Sequence, residues 1–247
     1  MSDKEYVFGL HAVQALLQRN PRRVKRLLLQ RGRLDGRVQA VVDLAESQGL
    51  KFERVGADEL EQLADGVHQG VVAEVSPSQL WSEEMLGHLL DKLDTPALLL
   101  VLDGVTDPHN LGACLRSADA AGAQAVIIPK DRSAGLTPVV RKVACGAAET
   151  VPLVAVTNLA RTLKQLQQRG LWVVGAAGEA EQLIYQVDMS VPTVIVMGAE
   201  GSGLRRLTRE HCDFLAKLPM AGSVSSLNVS VATGICLFEA VRQRSQP

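Results

Sequence analysis

The sequence predicts an α/β protein built from two α/β domains, and three observations lead to this prediction. Short runs rich in valine, leucine and isoleucine alternate with segments of helical spacing along the whole chain, as in α/β folds. A length of 247 residues is long for one compact domain and suits two. The turn-rich Ser76-Pro77-Ser78 interrupts the alternation. We therefore expect a small N-terminal domain at residues 1–75, a linker at 76–96 and a larger domain at 97–247.

The N-terminal domain begins with a short strand, followed by a helix in which Val13, Leu16 and Leu17 recur on one side. Its expected elements are strands at Tyr6–Phe8, Val24–Leu29 and Val71–Val75, and helices at His11–Arg19 and Val38–Ser47. In the linker, the acidic stretch Ser82–Leu93 predicts a connecting helix.

The larger domain begins with Leu98–Leu102, an aliphatic run typical of a parallel strand that is buried on both faces. The last helix, Val229–Arg242, is apolar around most of its circumference, which indicates contact on more than one side. Between them we expect strands at Val126–Ile128, Val151–Val154, Leu171–Val174 and Val194–Met197, and helices at Leu111–Ala121, Val139–Cys145, Leu159–Gln168 and Leu204–His211.

Charge is distributed unevenly, although the net charge is only −1. Between Arg19 and Arg37, eight basic side chains are opposed by a single acidic one. A local basic patch on a nearly neutral protein is typical of a docking site for a polyanion such as RNA, and the candidates are Arg22, Arg23 and Arg26. A well-solvated surface explains the same pattern equally well.

Cysteine spacing and hydropathy argue against several classes of protein. The four cysteines form no CxxC pair, and no histidine stands at ligand spacing, so we expect neither a metal site nor a disulfide framework. No apolar run approaches the roughly 18 residues of a membrane span, and the N-terminus lacks the apolar core of a secretory signal. We therefore expect a cytoplasmic protein. A nicotinamide enzyme would need GxGxxG after its first strand, and that motif is absent.

Three segments of the larger domain place glycine, asparagine or serine where a strand ends and a helix begins, which is where open parallel sheets bind ligands. In the first, DGVTDPHNLGACLRSADAAG at residues 103–122, Asp107-Pro108 predicts a helix start. The free N–H groups of that start and the guanidinium of Arg116 suit an anion, and Asn110 lies in the same first turn. An ordinary capped surface helix is the simpler alternative, and local sequence favours it.

The second segment, MGAEGSGL at residues 197–204, is a glycine loop that contains Glu200. A carboxylate would repel pyrophosphate, so this loop suits a cofactor without phosphates. The third, LPMAGSVSSLNVSVATG at 218–234, offers a cradle of small polar residues with Ser226, before Asn228 opens the last helix. A tight glycine turn and an ordinary N-cap are the alternatives for these two loops.

In order and spacing, the three segments together resemble the signature motifs of the SpoU (TrmH) family of RNA ribose 2′-O-methyltransferases, in the SPOUT class. The resemblance spans residues 98–242, and GLHAVQALL, GVHQGVVA and KVACGAAE are similar to the bacterial subfamily that methylates a guanosine of 23S ribosomal RNA, in its peptidyl-transferase region. It implies an N-terminal RNA-binding domain like ribosomal proteins that bind kink-turn RNA. It also implies a deep trefoil knot in the SPOUT domain and a homodimer whose interface includes the last helix.

The resemblance further implies S-adenosylmethionine as the cofactor and methyl transfer from its sulfonium to a ribose 2′-hydroxyl without a metal. Because a guanidinium is not deprotonated in proteins, Arg116 is expected to clamp a phosphate and stabilise the alkoxide, while Glu200 or an RNA phosphate oxygen takes the proton. The residues that match the family's catalytic set are Asn110, Arg116, Glu200, Ser226 and Asn228. The matching cofactor contacts, mostly through the main chain, are Gly198, Gly201, Leu218, Met220, Leu227 and, as a further wall, Ala176.

Valine at Gly198 is expected to block the cofactor, at little cost to the fold if the turn is not left-handed. Two alternative functions remain open. One is a transfer-RNA ribose 2′-O-methyltransferase of the same family. The other is a non-catalytic RNA-binding protein, which would leave the three motifs unexplained.

Overall fold

The computed structural model of the protein describes residues 4–33, 35–64, 66–77 and 79–245. The chain forms two compact units. The first comprises the chain up to residue 79 together with residues 145–150, and the second comprises residues 80–144 and the chain from residue 151 onward.

The first unit is a four-stranded mixed sheet with helices on both faces. Strand β4 lies antiparallel between β1 and β2, and β2 runs parallel to β3, so the order is β1-β4-β2-β3. The elements are β1 (Glu5–Phe8), α1 (Leu10–Arg19), β2 (Val24–Gln30), α2 (Gly36–Ser47), β3 (Phe52–Val55), α3 (Ala57–Leu63) and β4 (Val71–Val75). The five elements predicted here are confirmed, with ends shifted by one or two residues.

Alternation along β2 explains how this sheet is covered. Leu27 and Leu29 point into one core with α1 and α2, whereas Leu28 points into a second core with Leu60 of α3. The sequence prediction missed β3 and α3. Strand β3, FERV, is only four residues long and has two adjacent charged residues instead of an alternating pattern, and α3 buries only Leu60.

The second unit is built on a seven-stranded, wholly parallel sheet with the order β7-β6-β5-β10-β8-β11-β9. Its strands are β5 (Leu98–Asp103), β6 (Ala125–Pro129), β7 (Leu153–Val156), β8 (Trp172–Ala176), β9 (Gln182–Leu183), β10 (Thr193–Gly198) and β11 (Phe214–Lys217). Its helices are α4 (Glu83–Leu90), α5 (Pro108–Ala120), α6 (Pro138–Ala144), α8 (Leu159–Gln168), α9 (Arg206–Glu210) and α10 (Val229–Arg244), while the helical turn α7 (Ala147–Thr150) belongs to the first unit.

The predicted parallel sheet is confirmed, and every residue of β5, an interior strand, is buried. One face packs against α8 and, through Leu86, against α4, so part of the segment expected to be a linker lies in this core. Helix α10 packs against α5 and β10. Strand β10 enters between β5 and β8, which aligns Gly198 with Asp103 at the carboxyl edge of the sheet.

Within these described ranges, no helix is long and apolar enough to cross a lipid bilayer.

Candidate active site

Three predicted site residues meet at the carboxyl ends of β5 and β10. Asn228 Nδ2 donates hydrogen bonds to Glu200 Oε1 at 2.8 Å and to Asn110 Oδ1 at 2.9 Å. Asn110 Nδ2 donates to the same Glu200 Oε1 at 3.1 Å. One oxygen of the carboxylate is therefore held by two amides, while Oε2 has no hydrogen-bond partner among the residues that the structure describes.

Helix starts fix both asparagines. Asn228 is the N-cap of α10, and its Oδ1 accepts hydrogen bonds from the backbone N–H of Ser230 at 2.9 Å and from the Ser230 hydroxyl at 2.6 Å. Because this oxygen is occupied, the Asn228 amide group must turn its Nδ2 toward Glu200. Asn110 lies in the first turn of α5 and is 7% exposed, and the predicted N-cap Asp107 starts that helix. The backbone N–H of His109 bonds to Asp107 and lowers the pKa of its carboxyl.

The glycine loop after β10 is a closed hairpin. Ala199 and Gly203 exchange two backbone hydrogen bonds, and Gly201 and Gly203 have φ values of +79° and +66° that L-residues rarely adopt. A Cβ atom at Gly198 would lie 2.2 Å from the carbonyl carbon of Gly203. The expectation that valine at 198 costs the fold little is therefore wrong, because the chain's own backbone occupies the space beside this glycine.

An ion pair between a buried aspartate and a partly exposed arginine holds this loop, and the sequence prediction did not single it out. Asp103, the last residue of β5, is fully buried, and its carboxylate accepts hydrogen bonds from the backbone N–H of Arg205 at 3.0 Å and from Arg205 Nε at 2.5 Å. The sequence signal is an aspartate that closes the aliphatic run LLLVLD. An acidic residue at the end of a fully buried strand needs a partner.

The residues predicted to contact the cofactor cluster around neighbouring strand ends. Gly198 ends β10, Ala176 ends β8, and Leu218 follows β11, and these three strands are adjacent in the sheet. Met220 and Leu227, in the loop before α10, are 36% and 37% exposed. Exposed apolar side chains and main-chain groups, together with the carboxylate of Glu200 in the loop after β10, fit a cationic cofactor that lacks phosphates.

Two predicted catalytic residues lie on the surface. Arg116 is exposed on α5, six residues after Asn110, which places it about 9 Å further along the helix and about 120° around it. Ser226 is exposed in the loop before Asn228 and lies outside the hydrogen-bonded trio.

The candidate RNA-binding arginines of the first unit differ in their surroundings. Arg23 donates to the carbonyl oxygen of Ser76 at 2.9 and 3.1 Å, and it forms ion pairs with Glu5 and Glu149. Arg26 forms a bidentate pair with Glu53, with distances of 2.8 and 3.1 Å, and lies 3.8 Å from Glu74. Arg22 is exposed. Among the described residues, ion pairs are thus found for Arg23 and Arg26, whereas none is found for Arg22.

No cluster of three or more histidine, cysteine, aspartate or glutamate side chains able to hold a metal ion occurs in the described parts of the chain.

Comparison with known proteins assigns both parts of the chain. Residues 97–238 match the SpoU rRNA Methylase family, and residues 6–81 match the domain described as RNA 2′-O ribose methyltransferase substrate binding. A 23S rRNA (guanosine-2′-O-)-methyltransferase from Pseudomonas putida is 69% identical over 244 residues, which cover 99% of this chain and 98% of that protein. The protein of the same description from Escherichia coli K12 is 59% identical, over 98% of this chain and 99% of its own.

Solved structures agree with these matches. The SpoU methyltransferase AviRb from Streptomyces viridochromogenes superposes with a TM-score of 0.79 at 27% identity, covering 98% of this chain and 90% of its own. The structure of the same protein with the cofactor AdoMet gives a TM-score of 0.77 at 26% identity, with the same coverage. A TrmH/SpoU tRNA modifying enzyme from A. aeolicus covers only 66% of this chain, with a TM-score of 0.56 at 32% identity. Since the matching family covers more than half of the chain, and the bacterial relatives are alike over nearly all of it, this chain belongs to the SpoU rRNA methylase family of S-adenosylmethionine-dependent methyltransferases.

Proposed function

We propose that this protein methylates the ribose 2′-hydroxyl of a guanosine in 23S ribosomal RNA, in the peptidyl-transferase region. The observation that carries the proposal is the trio of Asn110, Glu200 and Asn228, in which two amides orient a carboxylate at the ligand-binding edge of a parallel sheet. The names of the relatives from Pseudomonas putida and Escherichia coli support 23S ribosomal RNA and guanosine as the substrate.

The bound cofactor would supply an electrophilic methyl group. In this proposal, Gly198, Gly201 and Leu218 contact it through the main chain at the ends of β10 and β11. Met220 and Leu227 cover its apolar parts, and Ala176 forms a further wall at the end of β8.

The chain's own polar groups would then align the hydroxyl and remove its proton. Asn110 and Asn228 hold Glu200 Oε1, which leaves Oε2 to accept the proton of the 2′-hydroxyl. Arg116 is assigned to the phosphate of the target nucleotide and to the developing alkoxide, since a guanidinium donates but does not accept protons. Ser226 is assigned to orienting the ribose through a hydrogen bond.

The proposal divides the chain into an RNA-binding domain at residues 1–75, a connection at 76–96 and a catalytic domain at 97–247. The strand order supports a trefoil knot in the catalytic domain, since the later strands β10 and β11 enter between strands that precede them in the chain. Val231 and Phe238, 51% and 48% exposed on α10, support a homodimer in which this helix meets its copy. A ribosomal RNA substrate places the enzyme in the bacterial cytoplasm.

A radiolabel assay tests the proposal. The protein is incubated with methyl-labelled S-adenosylmethionine and either unmodified 23S ribosomal RNA or bulk transfer RNA, and the modified nucleotide is mapped. We expect label at one guanosine of the 23S RNA, and none with Glu200→Gln. Label in transfer RNA alone would favour the tRNA enzyme, and RNA binding without any transfer would favour the non-catalytic protein.

A further inference from the structure

A second feature of the catalytic unit is a cavity of about 520 Å³ beyond the carboxyl ends of β6 and β7. The residues of its lining that bear on its chemistry are Trp81, Glu83, Glu84, Lys130 and Ser133. None of these residues belongs to the trio, the glycine loop or the loop before α10.

The cavity opens on the same edge of the sheet as the trio. The backbone N–H of Ala134, in its wall, donates to the carbonyl of Val105 at 3.0 Å, and Val105 lies in the loop that leads from β5 to Asn110. Strand β7 is three places from β10 in the sheet order, and neighbouring strands are about 4.8 Å apart. This separation, roughly 10 to 15 Å, is one that a short stretch of single-stranded RNA can span.

An aromatic residue is anchored through its backbone at this cavity. The backbone of Trp81 forms a bridge to β7, donating to Leu153 O at 2.9 Å and accepting from the N–H of Ala155 at 3.0 Å. Its side chain packs partly against the core of the unit and lines the cavity. A fixed indole ring beside a cavity offers a stacking surface to a nucleobase.

The polar groups of the cavity suit a nucleotide as well. Lys130 is exposed and follows β6, so its ammonium is available to a phosphate. The hydroxyl oxygen of Ser133 is buried and has no hydrogen-bond partner in the described part of the chain. A buried hydroxyl without a partner is rare, and rotation of this side chain toward the cavity would let the hydroxyl bond to a polar ligand atom.

The acidic residues of the lining determine how a nucleotide is oriented in the cavity. Glu83 is paired with Arg161 at 3.0 Å, whereas Glu84 lies 3.7 Å from His88 and keeps a side chain that is 84% exposed. A phosphate would be repelled by Glu84 and attracted by Lys130, so the phosphate lies on the lysine side of the cavity.

We propose that this cavity binds one ribonucleotide of the RNA strand that flanks the target nucleotide, with its base on Trp81 and its phosphate on Lys130. The inference rests on the proposed function, because it assumes that the RNA strand crosses the trio. It adds a substrate contact in the catalytic unit, separate from the basic patch of the first unit.

Fluorescence of Trp81 tests the inference directly. The chain has two tryptophans, and the other, Trp172, stacks on Phe214, so Trp172→Phe keeps an aromatic pair and leaves Trp81 as the only reporter. Titration of this variant with an oligoribonucleotide that carries the target guanosine and its neighbours should quench Trp81 in a saturable manner. The proposal would be overturned if the emission of Trp81 stayed constant during this titration while fluorescence anisotropy showed that the RNA binds.

Two substitutions separate a direct contact from an indirect one. Lys130→Gln should reduce the magnitude of the negative slope of log affinity against log salt by about 0.7. This change is expected when one phosphate contact with a single strand is lost. Lys164→Gln, an exposed lysine on α8, is the matched control and should leave the slope unchanged. Trp81→Leu should weaken RNA binding at least about fivefold through lost stacking.

All variants are also titrated with S-adenosylhomocysteine, and unchanged affinity shows that the catalytic unit is folded. If the slopes for Lys130→Gln and Lys164→Gln are equal and Trp81→Leu binds RNA as tightly as the wild type, the RNA does not bind in this cavity. Methyl transfer to 23S RNA distinguishes the two proposals. If the wild-type protein methylates 23S RNA but Lys130→Gln and Trp81→Leu do not change RNA binding, only the cavity assignment fails. If the wild-type protein does not methylate the RNA, the proposed function is overturned.

Discussion

The carboxylate of Asp103 joins the end of β5 to the residue that follows the glycine loop, because it accepts hydrogen bonds from both the backbone N–H and the Nε of Arg205. Asp103 is fully buried, whereas the side chain of Arg205 is 45% exposed. The arginine thus brings its charge to a buried carboxylate while part of it stays in water. This contact fixes where the loop that carries Glu200 returns to the sheet.

Asp103→Asn should therefore loosen the glycine loop. The amide keeps the shape of the side chain but loses the charge that attracts the guanidinium, and we expect a loss of about 2 kcal/mol in unfolding free energy. S-adenosylhomocysteine should bind more weakly as well. Urea denaturation and isothermal titration measure the two effects. Arg205→Ala is the comparison, and it should cost at least as much because it leaves the buried carboxylate of Asp103 without its cation. Equal stability of wild type and Asp103→Asn would show that the pair does not hold the loop.

The pairing of Asn228 with Glu200 leads to a substitution that separates capping from catalysis. Asn228→Asp still caps α10, but it replaces the donor that faces Glu200 by a negative charge. Methyl transfer should fall at least about 100-fold, the scale of a lost acid–base contribution, while the melting temperature changes little. Asn228→Ser, which also caps but adds no charge, should lose less activity. Comparable turnover by Asn228→Asp and wild type would exclude the trio from catalysis.

Arg116 is assigned to the RNA and not to the cofactor. Arg116→Ala should abolish detectable methyl transfer and leave the affinity for S-adenosylhomocysteine nearly unchanged, because the cofactor residues lie at the ends of β8, β10 and β11. Isothermal titration beside a turnover assay measures both quantities. A parallel loss of affinity and turnover would contradict this division of roles.

Local signals made much of the fold predictable. Asp107-Pro108 marks the start of α5 because an N-cap and a proline at the first helical position act within a few residues, and both are observed. The aliphatic run of β5 predicts a parallel strand for the same kind of reason, since a strand covered on both faces needs apolar residues throughout.

Non-local contacts could not be predicted in this way. Each member of the trio was selected through resemblance to a family, but the bonds between them join Asn110 to residues 90 and 118 positions later in the chain. They depend on β10 entering the sheet beside β5, which no local pattern encodes. The partner of Asp103 is likewise 102 positions away, and the pairing of Arg23 with Glu149 leaves the side chain of this candidate RNA contact only 18% exposed.

The end of α10 offers a test of how the last helix is anchored. Arg244 donates to four carbonyl oxygens, those of Pro96, Ala97, Met189 and Val191, at 2.7 to 3.0 Å. Burial lowers the pKa of its guanidinium, which has only neutral acceptors in these contacts. Arg244→Met should lower the unfolding free energy by about 2 to 4 kcal/mol, since hydrogen bonds from a charged donor contribute about 1.5 to 3 each before water replaces some of them. Arg244→Lys should recover only part of this loss, because one ammonium cannot reach all four oxygens. Chemical denaturation that ranks Arg244→Met equal to wild type would show that α10 is held by its apolar contacts alone.

The basic patch of the first unit gives the last prediction, and the structure changes how it should be tested. Replacing Arg22, Arg23 and Arg26 together would also remove the cations beside Glu5, Glu149, Glu53 and Glu74, so lost RNA binding could reflect lost stability. Glu74 is only 8% exposed, and a buried carboxylate with fewer cations nearby is destabilising. Arg22→Gln avoids this difficulty, because Arg22 is exposed and lies in a 3₁₀ turn that buries no residue.

If the patch docks ribosomal RNA near Arg22, Arg22→Gln should reduce the magnitude of the negative slope of log affinity against log salt by about 0.7 to 0.9, the value for one phosphate contact. The melting temperature and the affinity for S-adenosylhomocysteine should stay the same. Arg31→Gln is the comparison within the same patch, since Arg31 follows β2 at its other end, roughly 20 Å away by the length of the strand. If the slope is unchanged for Arg22→Gln but lowered for Arg31→Gln, the RNA docks at the opposite end of β2. The salt dependence falls only when the substituted arginine contacts a phosphate.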